Sequence, residues 1–422
     1  MTSDHHHPPE ETQGTLRGRE FVAMMAMLMA LQALAIDGML PALGQIAHDL
    51  NVTDPNRRQL VVGVFLLSAG VGALLPGTLA DRFGRRPVVL VSLGLYIAFS
   101  LACAMARDFD TLLILRALQA IGSAGVTVLP GAIIRDRHSG DRMARMLSTI
   151  SVVFMVVPML APSVGQFVLL FAGWRWIFIM LAAMAALVAL WVAFRLDETL
   201  RPEFRQAINP AAIVVNMIEA ASNRASIGYV IGGSLMFGAL LGYINSSQQL
   251  VAEHFGAGSA FPLLFGATAV TMACASFSNA RIVERFGARR VSHTALFVYI
   301  GVSCLQVYFA TRPHQTLWQF MPLIAMNMCL MGFVGANFSS IALQPFARIA
   351  GAASSVQAFM RMALGSLIGM VIGQAFDGTA RPLALSFLAA GILALMLVLF
   401  SEKGRLFRRL HPPGTPRIIP DH

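Results

Sequence analysis

The segment Asp81-Arg82-Phe83-Gly84-Arg85-Arg86 returns near half-length as Glu284-Arg285-Phe286-Gly287-Ala288-Arg289, and both copies lie between long apolar stretches. An acidic, glycine-centred, arginine-rich turn repeated in this way points to the doubling of a helical membrane unit. Parallel doubling of that kind is a transporter architecture, with the substrate path between the halves.

Composition supports the membrane assignment. Of 422 residues 56% are hydrophobic and only 12% are charged, against about 25% charged in a soluble chain. Apolar runs of roughly 20 residues, enough to cross a bilayer, fall at 21–43, 60–80, 88–106, 111–134, 147–171, 176–194, 226–250, 260–280, 291–310, 317–346, 352–376 and 382–400. They predict an all-α membrane protein with twelve transmembrane helices in two pseudo-symmetric six-helix bundles. The expected divisions are a leader at 1–20, bundles at 21–194 and 226–400, a central loop at 195–225 and a tail at 401–422. Ala33-Leu34-Ala35 resembles a signal-peptidase site, but the apolar run continues to Leu43, so an uncleaved first helix is expected.

Arginine placement sets the orientation. One series of loops and the two termini hold 23 basic residues, whereas the opposite loops hold six, Arg57, Arg58, Arg107, Arg175, Arg312 and Arg381. By the positive-inside rule both termini of a multi-pass chain are expected in the cytoplasm. The net charge of +10 follows from this asymmetry. The charges sit in short loops between spans, where they suit membrane lipid and make a nucleic-acid partner unexpected.

Several chemistries have no residues to carry them. The single lysine, Lys403, is followed by Gly404, so the Gly-Lys-Ser/Thr of a phosphate-binding loop is missing. Cys103, Cys274, Cys304 and Cys329 lie singly in apolar runs, where they act as small hydrophobes. No metal site, cofactor or nucleophile–base pair is expected, and the chain does not read as an enzyme.

The charges inside the spans stand out. Among acids only Asp37 lies well within a run, and among bases Arg116 and Arg361 are embedded in apolar sequence. A charge at mid-bilayer costs several kcal/mol by insertion scales and is retained where it meets a partner or a watery cavity. At 1.5 Å per residue, Asp37 and Arg116 both fall roughly 8–9 Å in from the outer edge. They are therefore expected to face each other, either as a static ion pair or as an acid whose protonation releases the arginine. In helix 5, Pro158 and Pro162 remove backbone bonds and bend the helix, and Gly165 permits close approach of a neighbour.

At this point the residues resemble a known family. Gly77-Thr78-Leu79-Ala80-Asp81-Arg82-Phe83-Gly84-Arg85-Arg86-Pro87 is similar to the loop 2–3 signature of the major facilitator superfamily. Asp37-Gly38-Met39-Leu40-Pro41-Ala42-Leu43 resembles the helix-1 ending of its bicyclomycin-resistance and chloramphenicol-efflux branch of drug:proton antiporters. Arg116-Ala117-Leu118-Gln119 resembles the helix-4 motif linked to proton coupling, and Pro158 through Gly165 the helix-5 antiporter motif. Tyr243 through Ser247, and Asn337 through Phe346, also look like that branch. Departures are Ala161 and Gln166 for glycines, Ala120 after Gln119, Met29 two turns before Asp37, and Arg361 for a neutral polar residue.

The resemblance implies proton coupling through Asp37 and Arg116. It also implies a conformational latch at Gly77, Asp81, Arg82, Gly84, Arg85 and Arg86, with Asp81 capping a helix N-terminus of the other half; the alternative is a purely topogenic basic turn. Cavity-lining residues would come from Met39, Gln119, Met155, Met159, Tyr243, Asn245, Ser247, Gln248, Asn337 and Phe338. The implied function is export of small amphipathic compounds by a monomer powered by the proton gradient, with no cofactor. The alternatives are a proton-coupled transporter of one metabolite and a non-transporting membrane sensor. A sensor needs an extra domain, and neither terminus is expected to be long enough to hold one.

Overall fold

The computed structural model describes residues 18–407, except 55, 138–139, 201–214, 216–217, 220, 313 and 347–349. Most of the expected leader, central loop and tail therefore lies outside the described residues. The α-helices are α1 Gly18–Asp37, α2 Leu43–Asp49, α3 Leu60–Gly72, α4 Leu75–Phe83, α5 Arg85–Ala104, α6 Phe109–Arg137, α7 Gly140–Phe171, α8 Arg175–Arg195, α9 Arg224–Gln249, α10 Phe261–Phe286, α11 Ala288–Ala310, α12 Leu317–Leu343, α13 Ala350–Gln374 and α14 Arg381–Ser401. Among the described residues ten helical units are long and apolar enough to cross a bilayer, or eleven with the bent α3–α4 pair as one span. The remaining expected span is α7, whose described apolar part is Val156–Phe171.

Two expected spans are broken. The run at 21–43 does not stop at Leu43: Gly38 and Pro41 interrupt it, a 3-10 turn at Leu40–Ala42 follows, and α2 carries it on to Asp49. Pro41 lacks the N–H needed to continue the helical ladder. The run at 60–80 bends by 42° between α3 and α4, where Pro76 begins the second piece.

The repeated turn has one geometry in both halves. Gly84 adopts φ 100°, ψ 157° and Gly287 φ 84°, ψ 145°, a region that a β-carbon strains. In the first half, Glu198 beyond α8 accepts from the Arg85 and Arg86 amides at 2.8 and 3.2 Å, satisfying free N–H groups at the start of α5. In the second half, Glu402 beyond α14 accepts from Arg289 Nε at 2.6 Å and from the Tyr229 hydroxyl at 2.7 Å. A carboxylate that ends the last helix of each bundle thus clasps that bundle's glycine turn.

Large side chains are buried in both bundles, Tyr96, Trp174 and Phe178 in the first and Tyr229, Tyr299 and Phe387 in the second, within one continuous apolar core. Exposed apolar side chains such as Leu187, Phe194, Leu263 and Trp318 ring the outside, a surface suited to lipid. The bundles meet through α3 against α13 and α7 against α10. A β-carbon on Gly63 would lie 3.2 Å from Met370, and one on Gly70 would lie 2.9 Å from Met362. Beyond the bend nothing lies within 4 Å of such an atom on Gly77. The halves therefore close at the arginine-poor end and part toward the arginine-rich end.

Candidate functional site

Asp37 is the last residue of α1 and is 5% exposed, and among the described residues its Oδ1 has no hydrogen-bond partner. Buried polar atoms are almost always bonded, so an orphaned carboxylate oxygen marks a place where a proton, water or cargo completes the set. The next residue, Gly38, touches α7. A β-carbon on Gly165 would run into the Gly38 carbonyl, and one on Gly38 would lie 3.6 Å from the Ala161 carbonyl. Gly165 thereby presses the proline-bearing helix against the backbone beside Asp37. Pro158 and Pro162 both lie inside α7.

Arg116 is fully buried in α6, but its partner differs from the expected one. Its Nη2 donates to the Ala35 carbonyl at 3.0 Å, Nε to the Val61 carbonyl at 3.1 Å and Nη1 to Gln119 Oε1 at 2.8 Å. The guanidinium also lies 4.1 Å from the Phe65 ring centroid. Among the described residues it makes no ion pair with Asp37. The reason is local: α1 ends at Asp37, and the last carbonyls of a helix have no partner within it. Ala35 supplies one of these carbonyls on a different side of the helix from the Asp37 side chain. Arg116 thus reaches the end of α1 two residues before Asp37, while among the described residues the direct pair is absent. Gln119 continues the chain of bonds to Ser100 Oγ at 2.6 Å, and Ser100 to the Tyr96 carbonyl at 2.6 Å.

The expected latch is also differently engaged. Asp81 Oδ1 pairs with Arg85 Nη1 at 2.6 Å within its own half, and Arg85 Nε meets Asp136 at 3.0 Å. Arg86 Nη2 donates to the Ala193 carbonyl at 2.5 Å, and Arg82 lies over the Phe83 ring. Among the described residues Asp81 is engaged by Arg85 of its own half, and none shows it capping a helix of the second half.

Most of the expected cavity residues are packed in this conformation. Met39, Gln119, Tyr243, Asn245, Ser247, Asn337 and Phe338 are buried. The Tyr243 hydroxyl meets Thr268 at 3.3 Å, Asn337 donates to Asn279 at 2.7 Å, and Phe338 stands edge-on to Tyr229. Met159, which faces Gly266, and Gln248 are partly exposed. The side chain of Met155 lies outside the described residues. Among the described residues neither side-chain atom of Asn245 finds a partner, nor does Gln248 Oε1.

Sequence reasoning missed the network that closes the arginine-poor end. Asn56 donates to the Gln374 and Phe376 carbonyls at 3.0 and 2.7 Å, and Gln374 returns a bond to the Asn56 carbonyl at 2.7 Å. Gln59 bonds Gln249, and the buried Arg58 pairs with the half-exposed Glu253. These links join the start of α3 to the ends of α9 and α13, across the two halves. The one signal in the sequence was Arg57-Arg58, a basic pair on the arginine-poor side. A hydrogen bond to a charged group is worth about 1.5–3 kcal/mol, so Arg58→Ala is expected to shift a balanced two-state equilibrium by roughly ten- to a hundredfold toward opening at this end. Spin-label distances between the α2–α3 and α9–α10 loops read this out. Unchanged distributions, or no recovery in the Arg58→Glu/Glu253→Arg swap, would show that the pair carries no gating energy.

The comparisons with known proteins agree on the architecture. The model of the Major Facilitator Superfamily matches residues 25–370. A bicyclomycin resistance protein homolog of Haemophilus influenzae is 26% identical over 92% of this chain and 98% of its own. The multidrug resistance protein MdtL of Klebsiella pneumoniae is 29% identical over 90% of this chain and 95% of its own. Among solved structures, a bacterial homolog of the human lysosomal transporter Spinster, captured inward-facing and unoccupied, superposes with a TM-score of 0.70 at 15% identity, covering 91% of this chain and 96% of that one.

Proposed function

Because the chain belongs to the major facilitator superfamily, and is thus a membrane transporter of small molecules rather than an enzyme, we propose that it exports amphipathic compounds in exchange for protons. The observation that carries this reading is the orphaned carboxylate of Asp37, buried in a membrane helix beside the Gly38–Gly165 contact. An acid in that setting can hold a proton from one side and release it to the other when the halves re-pack. Arg116 contributes by fixing the end of α1 through the Ala35 carbonyl, so that movement of either helix is felt at Asp37. The relatives named for bicyclomycin and multidrug resistance supply the cargo class.

With the arginine-rich loops in the cytoplasm, the protein sits in the inner membrane with both termini inside, and the conformation described is inward-facing. Both bundles of the path come from one chain, which suits a monomer, and the proton gradient is the energy source in place of a cofactor. Expression in an efflux-deficient host is expected to protect against several unrelated amphipathic drugs. Protection against none, together with downhill uptake of one labelled metabolite into liposomes, would replace this reading with that of a metabolite transporter.

A further inference from the structure

Arg361 lies in the middle of a membrane helix and, among the described residues, has no acidic partner. It lies within α13, and its guanidinium sits 5.4 Å from the centroid of Phe237, halfway along α9. Among the described residues that ring is the one aromatic, hydrogen-bond or ion-pair contact of its guanidinium, and the side chain is not covered by other parts of the protein. Its position argues against lipid as the medium it faces. Leu367 and Val371, exposed and apolar, mark the lipid side of α13. One turn before Arg361, Gln357 donates to Ser339 of α12 at 2.8 Å, so this part of the helix turns toward α9 and α12. The following residue, Met362, makes the contact with Gly70 of α3 just before that span bends away. Arg361 therefore stands where the closed part of the interface gives way to the open cleft.

We propose that Arg361 is the anion-recognising group of the cargo path, and that the exported compounds carry a carboxylate, sulfonate or phosphonate on an apolar body. The proposal rests on the transport reading above. A guanidinium presents a planar fork that matches such groups with paired hydrogen bonds. Phe237 holds its stem by a cation–π contact and offers the apolar surface next to it. An uncompensated cation at this depth is otherwise unfavourable by several kcal/mol, and an anionic cargo in the cleft supplies the missing charge. Asp37, in the other half, keeps its own role for the proton.

The test is equilibrium binding of two xanthene dyes of similar size, anionic carboxyfluorescein and a cationic rhodamine ester, to purified protein in nanodiscs without a proton gradient. The wild type is expected to bind carboxyfluorescein at least tenfold more tightly than Arg361→Gln, about 1.4 kcal/mol. Arg361→Lys, which keeps the charge but not the fork, should fall between them and guards against misfolding of the glutamine variant. Rhodamine binding should be unchanged or tighter in Arg361→Gln. Equal carboxyfluorescein affinity in wild type and Arg361→Gln, a wild-type preference for the cation, or no carboxyfluorescein binding overturns the proposal. Because no gradient is applied, charge-selective binding without proton-driven export would overturn the efflux reading and leave the role of Arg361 standing.

Discussion

Asp37→Asn is expected to abolish uphill export while leaving the protein folded, inserted and able to bind cargo. Asparagine keeps the shape of aspartate but cannot take up and release a proton, so the exchange loses its second substrate. The force lost is large: the membrane potential alone supplies about 2.3 kcal/mol per charge per 100 mV, equivalent to roughly a fiftyfold concentration gradient. Downhill exchange of cargo needs no proton and is expected to survive. The structure adds a stability signature. Among the described residues Asp37 Oδ1 has no partner, so the substitution breaks no hydrogen bond seen at that oxygen and removes a charge that is unfavourable to bury. Thermal stability should be equal to that of the wild type or higher. Transport driven by a pH gradient in liposomes is the measurement, and full export by Asp37→Asn would remove this residue from the coupling step.

Much of the architecture is legible in the residues because a bilayer leaves few alternatives. Helices are one of the two backbone arrangements that satisfy all their polar groups in lipid, so apolar runs of the right length locate the spans. The glycine turn is legible for a similar reason: Gly84 and Gly287 both occupy a conformation that other residues avoid. The site is only partly legible. Asp37 and Arg116 announce themselves as charges in apolar sequence, but the group that receives Arg116 is a backbone carbonyl freed by the end of a helix. No side-chain pattern encodes that. Asp81 has two suitable partners, a distant helix end and the arginine one turn away, and only the bend at Gly72–Leu75 decides between them in this conformation. The outer network is harder still. Asn56, Gln59, Gln249 and Gln374 are ordinary polar residues until the fold brings the ends of three helices together.

Arg116→Ala is expected to give the largest loss of stability among single substitutions in the first bundle. The arginine ties α6 to α1 through Ala35 and to α3 through Val61, and it orients Gln119 for its bond to Ser100. Removing it takes a donor from the Ala35 carbonyl at the end of α1, from the Gln119 amide oxygen and from the second lone pair of the Val61 carbonyl, beside a gap next to Phe65. Each unsatisfied buried group costs about 1–3 kcal/mol, and loss of such a network places the total on the order of 4 kcal/mol. Arg116→Lys should recover little, because one ammonium cannot reach three acceptors arranged around a planar fork. The same geometry makes a prediction about coupling. Since Arg116 holds the backbone near Asp37 and not its carboxylate, the stability changes of Asp37→Asn and Arg116→Ala should add in the double variant to within about 0.5 kcal/mol. Denaturation of the wild type, both single variants and the double variant in nanodiscs measures the sum. A coupling energy well above that margin would mean that the two side chains do share a charge contact and that the carbonyl bond is not the principal tie between them.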